Sequence, residues 1–265
     1  MPELPEVEVI RRELREKVKG SRILLVRVEE PQFYLPAEMV LGKKIKELER
    51  KGKNLFLVLE DENSILFHLG MTGRLIFSPQ EESFSYLRLL LGLSSGFLSL
   101  TDQRKLGKVA FLYQKEREEL LHQLGIDPLS SEYTEENFEK ALAGRKMRIK
   151  DFLLSQRYIS GIGNIYASEI LFRSSIHPAR KVNDLTPQEK GNLFIAIPQV
   201  LEEAIAHQGT TIRDYVRSGG EKGEFQNSLL VYGKEGEKCP YCGKEIVREK
   251  IASRSTYFCP HCQAN

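Results

Sequence analysis

Nowhere does the 265-residue sequence carry an apolar run of the ~18 residues that a spanning helix requires, so no membrane segment is expected. The opening stretch, MPELPEVEVIRRELREKV, lacks the apolar centre of a secretion signal and is rich in acidic side chains. That predicts a cytoplasmic protein. Internal repeats and low-complexity tracts are absent, which excludes repeat architectures. An excess of one charge is lacking too: 39 Lys and Arg face 37 Asp and Glu, a net of +2. That balance alone says nothing about a nucleic-acid partner. It is uneven along the chain, however. Residues 1–143 hold 21 basic and 24 acidic side chains, net −3, and residues 144–265 hold 18 and 13, net +5. The excess points to a polyanion bound through the C-terminal half, although ordinary surface variation gives the same numbers. A hydrophobic share of 41% with 29% charged residues supports a sizeable core and excludes global disorder. The length suits one large domain or two ordinary ones.

Cysteine is scarce, and its placement is informative. All four cysteines lie in two C-x2-C pairs, Cys239 with Cys242 and Cys259 with Cys262, separated by sixteen residues. Thiolates two apart can grip one ion from a tight turn, and two such pairs complete a tetrahedron. The alternative, two disulfides, conflicts with a reducing cytosol. One structural Zn2+ per chain is therefore expected, with no open position for catalysis. The spacer GKEIVREKIASRSTYF alternates β-branched residues around ASRS and reads as a hairpin.

Hydrophobic periodicity divides the rest. Val7, Ile10, Leu14 and Val18 recur at helical spacing within residues 3–18. Between about 21 and 113 the pattern turns to short strands: ILLVRV, LFLVLE, SILFHL, LRLLLGL and FLSLT, with EDEN and LSSG as turns. From about 131 helical spacing returns. Ser131 with Glu135, and Thr186 with Glu189, are candidate N-cap pairs. The expected fold is α+β: an N-terminal helix on a β-sandwich (residues 1–130), a helical domain (131–230), and a C-terminal β-hairpin zinc ribbon (231–265).

Several motifs carry chemistry. Pro2 follows Met1, and removal of that methionine would leave a secondary amine with a pKa of about 8. Such an amine can attack an aldehyde-level carbon and form an iminium, and Glu3 and Glu6 lie near enough in sequence to move protons. The alternative is a plain helix start opened by Pro5. In ISGIGNIYASEIL, residues 159–171, Gly161 and Gly163 precede a helix beginning near Asn164. That arrangement suits a phosphate, or merely close helix packing. HLGMTGRL (68–75), TDQRKLG (101–107) and RKGKNLFL place His68, Met71, Arg104, Leu106 and Lys53 at strand ends. Each taken singly reads as surface decoration.

Together, in this order, these pieces resemble the formamidopyrimidine-DNA glycosylase family of the formamidopyrimidine/endonuclease VIII superfamily. The likeness rests on MPELPEVE, RKGKNLFL, HLGMTGRL, DQRKLG, QRYISGIGNIYASEILF, GTTIRDYV, FQNSLLVYG and the zinc ribbon, and covers nearly the whole chain. It implies a base-excision repair enzyme that removes oxidised purines and then cuts the strand, acting as a monomer on double-stranded DNA with oxidised bases or abasic sites. It also implies no catalytic metal or organic cofactor. By that resemblance Pro2 is the Schiff-base nucleophile, Glu3 the acid that opens the sugar, Glu6 its support, and Lys53 an aid to elimination. Met71, Arg104 and Leu106 fill the gap left by the flipped nucleotide. Asn164, Arg254, Arg145 and His68 contact DNA, and Arg254 also donates a proton in the second elimination. The helical part carries a helix–two-turns–helix motif, and residues 216–227 form a lid over the extruded base.

Two departures stand out. The family's wedge phenylalanine is Leu106 here, and its DNA-contacting histidine before YLRLLLG is replaced within Phe84, Ser85 and Tyr86. Two other readings stay open: an endonuclease VIII-like preference for oxidised pyrimidines, disfavoured by PELPE, and a non-catalytic duplex-binding protein.

Overall fold

The computed structural model of the protein describes residues 1–212, 215–251 and 253–264. Helix α1 (Leu4–Val18) carries Pro5 in its first turn, where the missing N–H costs nothing. Its four periodic apolar residues are all buried. There follow β1 (Ile23–Val28), the short α2 (Ala37–Val40), β2 (Ile45–Lys51), β3 (Asn54–Leu59), β4 (Ser64–His68), β5 (Gly73–Ser78), β6 (Leu87–Leu93), β7 (Gly96–Asp102), β8 (Lys108–Leu112) and α3 (Gln114–Gln123). The strands make two four-stranded antiparallel sheets, ordered β1-β6-β7-β5 and β2-β3-β4-β8. Leu55, Leu57 and Ile65 of one sheet, Leu89, Leu91 and Leu98 of the other, and the stripe of α1 share one core. This is the expected sandwich.

The sequence pattern picks out five strands, and the sandwich has eight. The additional three have weak signals for physical reasons. IKELERK in β2 turns only Ile45 and Leu48 fully inward, β5 lies inside the HLGMTGRL motif, and β8 is five residues long. The EDEN and LSSG turns fall where expected, with Leu59 N–H donating to Asn63 O at 2.8 Å and Leu93 paired to Gly96.

The helical part comprises α4 (Glu135–Leu142), α5 (Ile149–Leu154), α6 (Asn164–Arg173) and α7 (Pro187–Ala206). Ser131 is not a cap. It lies in the preceding turn, and Thr134 caps α4, its hydroxyl accepting from Asn137 N–H at 3.2 Å. The Thr186–Glu189 pair does form a capping box: Thr186 N–H donates to Glu189 Oε2 at 2.8 Å, and Glu189 N–H to Thr186 Oγ1 at 3.2 Å. Pro198 inside α7 leaves the carbonyl of Phe194 without its helical donor. The Tyr133 hydroxyl supplies the missing bond at 3.0 Å. The spacer between the cysteine pairs is the expected hairpin, β9 (Val247–Ile251) with β10 (Arg254–Phe258).

Packing divides the chain into two units, Met1–Gln123 with His207–Gln226, and Leu124–Ala206 with Asn227–Asn265. This differs from the three segments read along the sequence. Residues 207–226 return to the sandwich because α1 holds them: Thr210 N–H donates to Glu6 Oε1 at 2.8 Å, and Ser218 N–H to Glu13 Oε2 at 2.9 Å.

Candidate functional site

In the first unit, the N-terminal turn of α1 is pinned by Glu6. Its Oε2 accepts the Glu3 N–H at 2.7 Å, while its Oε1 takes Thr210 N–H. Pro2, Glu3 and Glu6 are buried, whereas Met1 is 49% exposed. Gly209 lies beneath Glu6 at φ +80°, and a Cβ there would stand 3.0 Å from Glu6 Oε1. The carboxylate that caps the helix therefore also fixes the backbone of residues 2 and 3 against the 209–210 turn. The capping reading and the catalytic reading of PELPE are thus compatible.

Lys53 occupies the two-residue turn between β2 and β3, beside Gly52, and is buried. Across the sheet, Asn54 pairs with His68, and His68 with Lys108. The His68 Nδ1 lies 2.9 Å from Asn54 Oδ1. With that oxygen as acceptor, Nδ1 carries the proton and Nε2 presents a lone pair. Burial holds the imidazole below its ordinary pKa, and the charges of Lys53 and Lys108 push in the same direction. Three adjoining strands thereby gather Lys53, His68 and Lys108 at one sheet end.

Met71, Arg104 and Leu106 stand on two loops that touch. Gly70 adopts φ +59°, and a Cβ there would sit 2.5 Å from the Leu106 carbonyl, so only glycine permits this approach. Met71 is 36% and Leu106 45% exposed, and Arg104 is exposed as well. The organiser is Asp102, which is fully buried. Its Oδ2 accepts Gly107 N–H at 2.7 Å, and its Oδ1 accepts the Thr72 hydroxyl and, at 3.2 Å, Arg104 N–H. One carboxylate thus ties the Met71 loop to the loop bearing Arg104 and Leu106.

In the second unit, the start of α6 meets the hairpin. Asn164 Nδ2 donates to Ser255 O at 2.9 Å, next to the exposed Arg254. Lys150, fully buried, reaches the Thr256 hydroxyl from α5. Arg145 is exposed, its guanidinium 4.6 Å from the Tyr158 ring centre. The Sγ atoms of Cys239 and Cys262 are 3.8 Å apart and those of Cys242 and Cys259 3.5 Å, with all four within 4.8 Å of one another. A tetrahedron with Zn–S of about 2.3 Å demands S···S of about 3.8 Å, so these thiols fit a closed structural zinc site. Gln263 braces it, accepting Cys259 N–H at 3.0 Å and donating to Ile176 O at 2.9 Å.

Three family models match in the same order as these parts: the formamidopyrimidine-DNA glycosylase N-terminal domain over residues 1–109, its H2TH domain over 124–216, and the zinc finger found in FPG and IleRS over 236–265. A formamidopyrimidine-DNA glycosylase of Desulfitobacterium hafniense is 44% identical, with 99% of this chain and 100% of the relative covered. The chain belongs to the formamidopyrimidine-DNA glycosylase family. The relative from Gluconobacter oxydans is 42% identical at 99% and 100% coverage. Among solved structures, the MutM (FPG) protein of Thermus thermophilus matches with a TM-score of 0.91, 38% identity, and coverage of 100% and 99%. Lactococcus lactis Fpg in complex with abasic-site DNA matches with a TM-score of 0.89, 35% identity, and coverage of 99% and 100%.

Within this formamidopyrimidine-DNA glycosylase fold, three supporting residues escape sequence reasoning. Asp102 is visible in TDQRKLG, but nothing in the string says that its carboxylate is buried. Lys150 looks like an exposed helix lysine in IKDFLL. Glu169, mid-helix in NIYASEILF, accepts the N–H groups of Leu230, Val231 and Tyr232 at 2.8, 3.0 and 2.8 Å. Burial raises its carboxyl pKa despite those three donors. The 216–227 segment, expected as a lid, is tied to α1 by Ser218 and Arg217 at Glu13. Arg213 and Asp214 of the GTTIRDYV motif lie outside the described residues.

Proposed function

We propose that this chain is a bifunctional DNA glycosylase/AP lyase of base-excision repair, which removes oxidised purines such as 8-oxoguanine and formamidopyrimidines and acts in the cytoplasm. Curated relatives spanning the whole chain carry the glycosylase name, and Lactococcus lactis Fpg has been solved with abasic-site DNA and, as a point mutant, with Fapy-dG DNA. Among the described residues no helix is long and apolar enough to cross a membrane.

The observation that carries the catalytic reading is the Glu6 clamp. It holds Pro2 and Glu3 in a buried turn while Met1 alone projects to solvent. With Met1 attached, the Pro2 nitrogen is a tertiary amide and not a nucleophile. Once Met1 is removed, the secondary amine is partly unprotonated near pH 8. It attacks C1′ of the damaged nucleotide as the N-glycosyl bond breaks and the base leaves with its electron pair. Glu3 supplies a proton to the ring oxygen, the sugar opens, and an iminium joins Pro2 to C1′. The iminium accepts the electrons released when a C2′ proton is lost and the 3′-phosphate departs. A second elimination expels the 5′-phosphate, with Lys53 and Arg254 assisting proton movement.

A stacked nucleotide must leave the helix before any of this, at a cost of a few kcal/mol. Met71, Arg104 and Leu106 offset that cost by filling the gap, and Arg104 faces the orphaned base. Asn164, Arg145 and Arg254 grip phosphates without reading sequence. The zinc site holds the hairpin that bears Arg254.

The test is borohydride trapping on an abasic-site duplex. Protein lacking Met1 should form a covalent complex, whereas Pro2→Gly and Met1-bearing protein should not. Trapping by Met1-bearing protein at the same rate would move the nucleophile elsewhere, with Lys53 examined first. Binding without trapping would favour a non-catalytic duplex-binding protein.

A further inference from the structure

A polar cavity lies outside the roles assigned above. It encloses ≈ 310 Å3 on the outer side of β5 and β7, and its walls include Thr72, Arg74, Phe84, Tyr86, Thr101 and Gln103. Among the described residues no Asp or Glu lines it. Arg74 forms no ion pair and no side-chain hydrogen bond among the described residues, whereas other arginines of this sheet, such as Arg27 and Arg88, are paired to Glu29 and Glu30. An unpaired guanidinium facing an acid-free cavity lined by hydroxyl and amide groups is the chemistry of an anion site.

The cavity is also anchored to the inserted loops. Thr72 adjoins Met71 in sequence, and Gln103 adjoins Arg104. Tyr86, held at φ +62° and 54% exposed, accepts Asp102 N–H at its carbonyl at 3.0 Å. The same Asp102 thus fixes the cavity wall through its backbone and the two loops through its carboxylate.

We propose that Arg74, with Tyr86 and Gln103 at the cavity rim, binds a backbone phosphodiester of duplex DNA beside the Met71–Arg104 loops. This inference rests on the glycosylase reading, in which those loops enter the duplex. A phosphate contact there would position the duplex without reading its sequence.

The experiment measures equilibrium binding of wild type, Arg74→Ala and Arg74→Lys to a lesion duplex across a salt series. It is repeated with single methylphosphonate substitutions walked along both strands. Loss of the guanidinium should weaken binding by about tenfold or more. The slope of log affinity against log salt should shrink by about 0.9, while Arg74→Lys keeps most of that slope. One methylphosphonate position that weakens the wild type should leave Arg74→Ala unaffected. An unchanged affinity and slope, or weakened binding with the whole methylphosphonate profile intact, would overturn the proposal. Borohydride trapping by the wild type on the same duplex reports the glycosylase reading separately, so failure of one is distinguishable from failure of the other.

Discussion

Replacing Asp102 by alanine tests the claim that one buried carboxylate organises the two loops bearing Met71, Arg104 and Leu106. In the folded protein this side chain satisfies Gly107 N–H at 2.7 Å, the Thr72 hydroxyl, and Arg104 N–H at 3.2 Å. Arg104 N–H has a second acceptor, Thr72 Oγ1 at 3.1 Å, so it is not stranded by the change. Gly107 N–H and the Thr72 hydroxyl are. Each buried donor left without a partner costs about 1–3 kcal/mol, which puts Asp102→Ala at about 3 kcal/mol of destabilisation. At roughly 2–4 °C per kcal/mol the midpoint of thermal unfolding should fall by about 6–12 °C. Asp102→Asn should be milder, about 1 kcal/mol, because its amide oxygen can keep Gly107 while its NH2 donates to the Thr72 hydroxyl. The functional readout separates loops from chemistry. In the proposed mechanism, excision of 8-oxoguanine opposite cytosine needs Met71, Arg104 and Leu106 in place. Trapping at an abasic site asks less of them, since no base need be extruded. Asp102→Ala should therefore lose at least about tenfold more in single-turnover excision than in trapping, the equivalent of ~1.4 kcal/mol in the barrier. Equal losses on both substrates, or an unfolding midpoint unchanged within 2 °C or so, would refute the reasoning.

Three further outcomes are expected. Chelation of zinc, or Cys259→Ser, should abolish duplex binding while the sandwich keeps its unfolding transition, because all four thiols and Arg254 lie within residues 239–262; full binding by zinc-free protein would contradict this. Arg104→Ala should reduce the preference for cytosine over adenine opposite the lesion, by up to the ~1–3 kcal/mol of a good base contact, measured as a ratio of excision rates. His68, whose imidazolium is disfavoured in the folded state by burial and by Lys53 and Lys108, contributes stability that is fully present above its unfolded pKa of about 6.5. That stability is lost as pH falls through the lower folded value. Wild type should accordingly lose more of its unfolding midpoint between pH 7.5 and 5 than His68→Gln, on the order of a few degrees, and parallel pH profiles would count against it.

The sequence by itself determined the helix of residues 4–18, since apolar residues at helical spacing leave one face to bury. It also determined the zinc ribbon, because the ligand type and two-residue spacing are properties of the string, and the Thr186–Glu189 cap, because a capping box is local. Family likeness supplied a proposed role for each site residue, from Pro2 to Arg254. What sequence left undecided depends on contacts between distant segments. Strand β2 is charged enough to resemble a loop, and only its pairing with β3 makes it a strand. Residues 207–226 follow α7 along the chain, yet Glu6 and Glu13 of α1 draw them to the sandwich. Asp102, Lys150 and Glu169 look like surface charges in the sequence. Tertiary structure buries each one and hands it partners from other segments, and a buried polar group acquires its function from those partners. Arg74 is the converse: a charge without a partner among the described residues, and whose meaning comes from the cavity it faces.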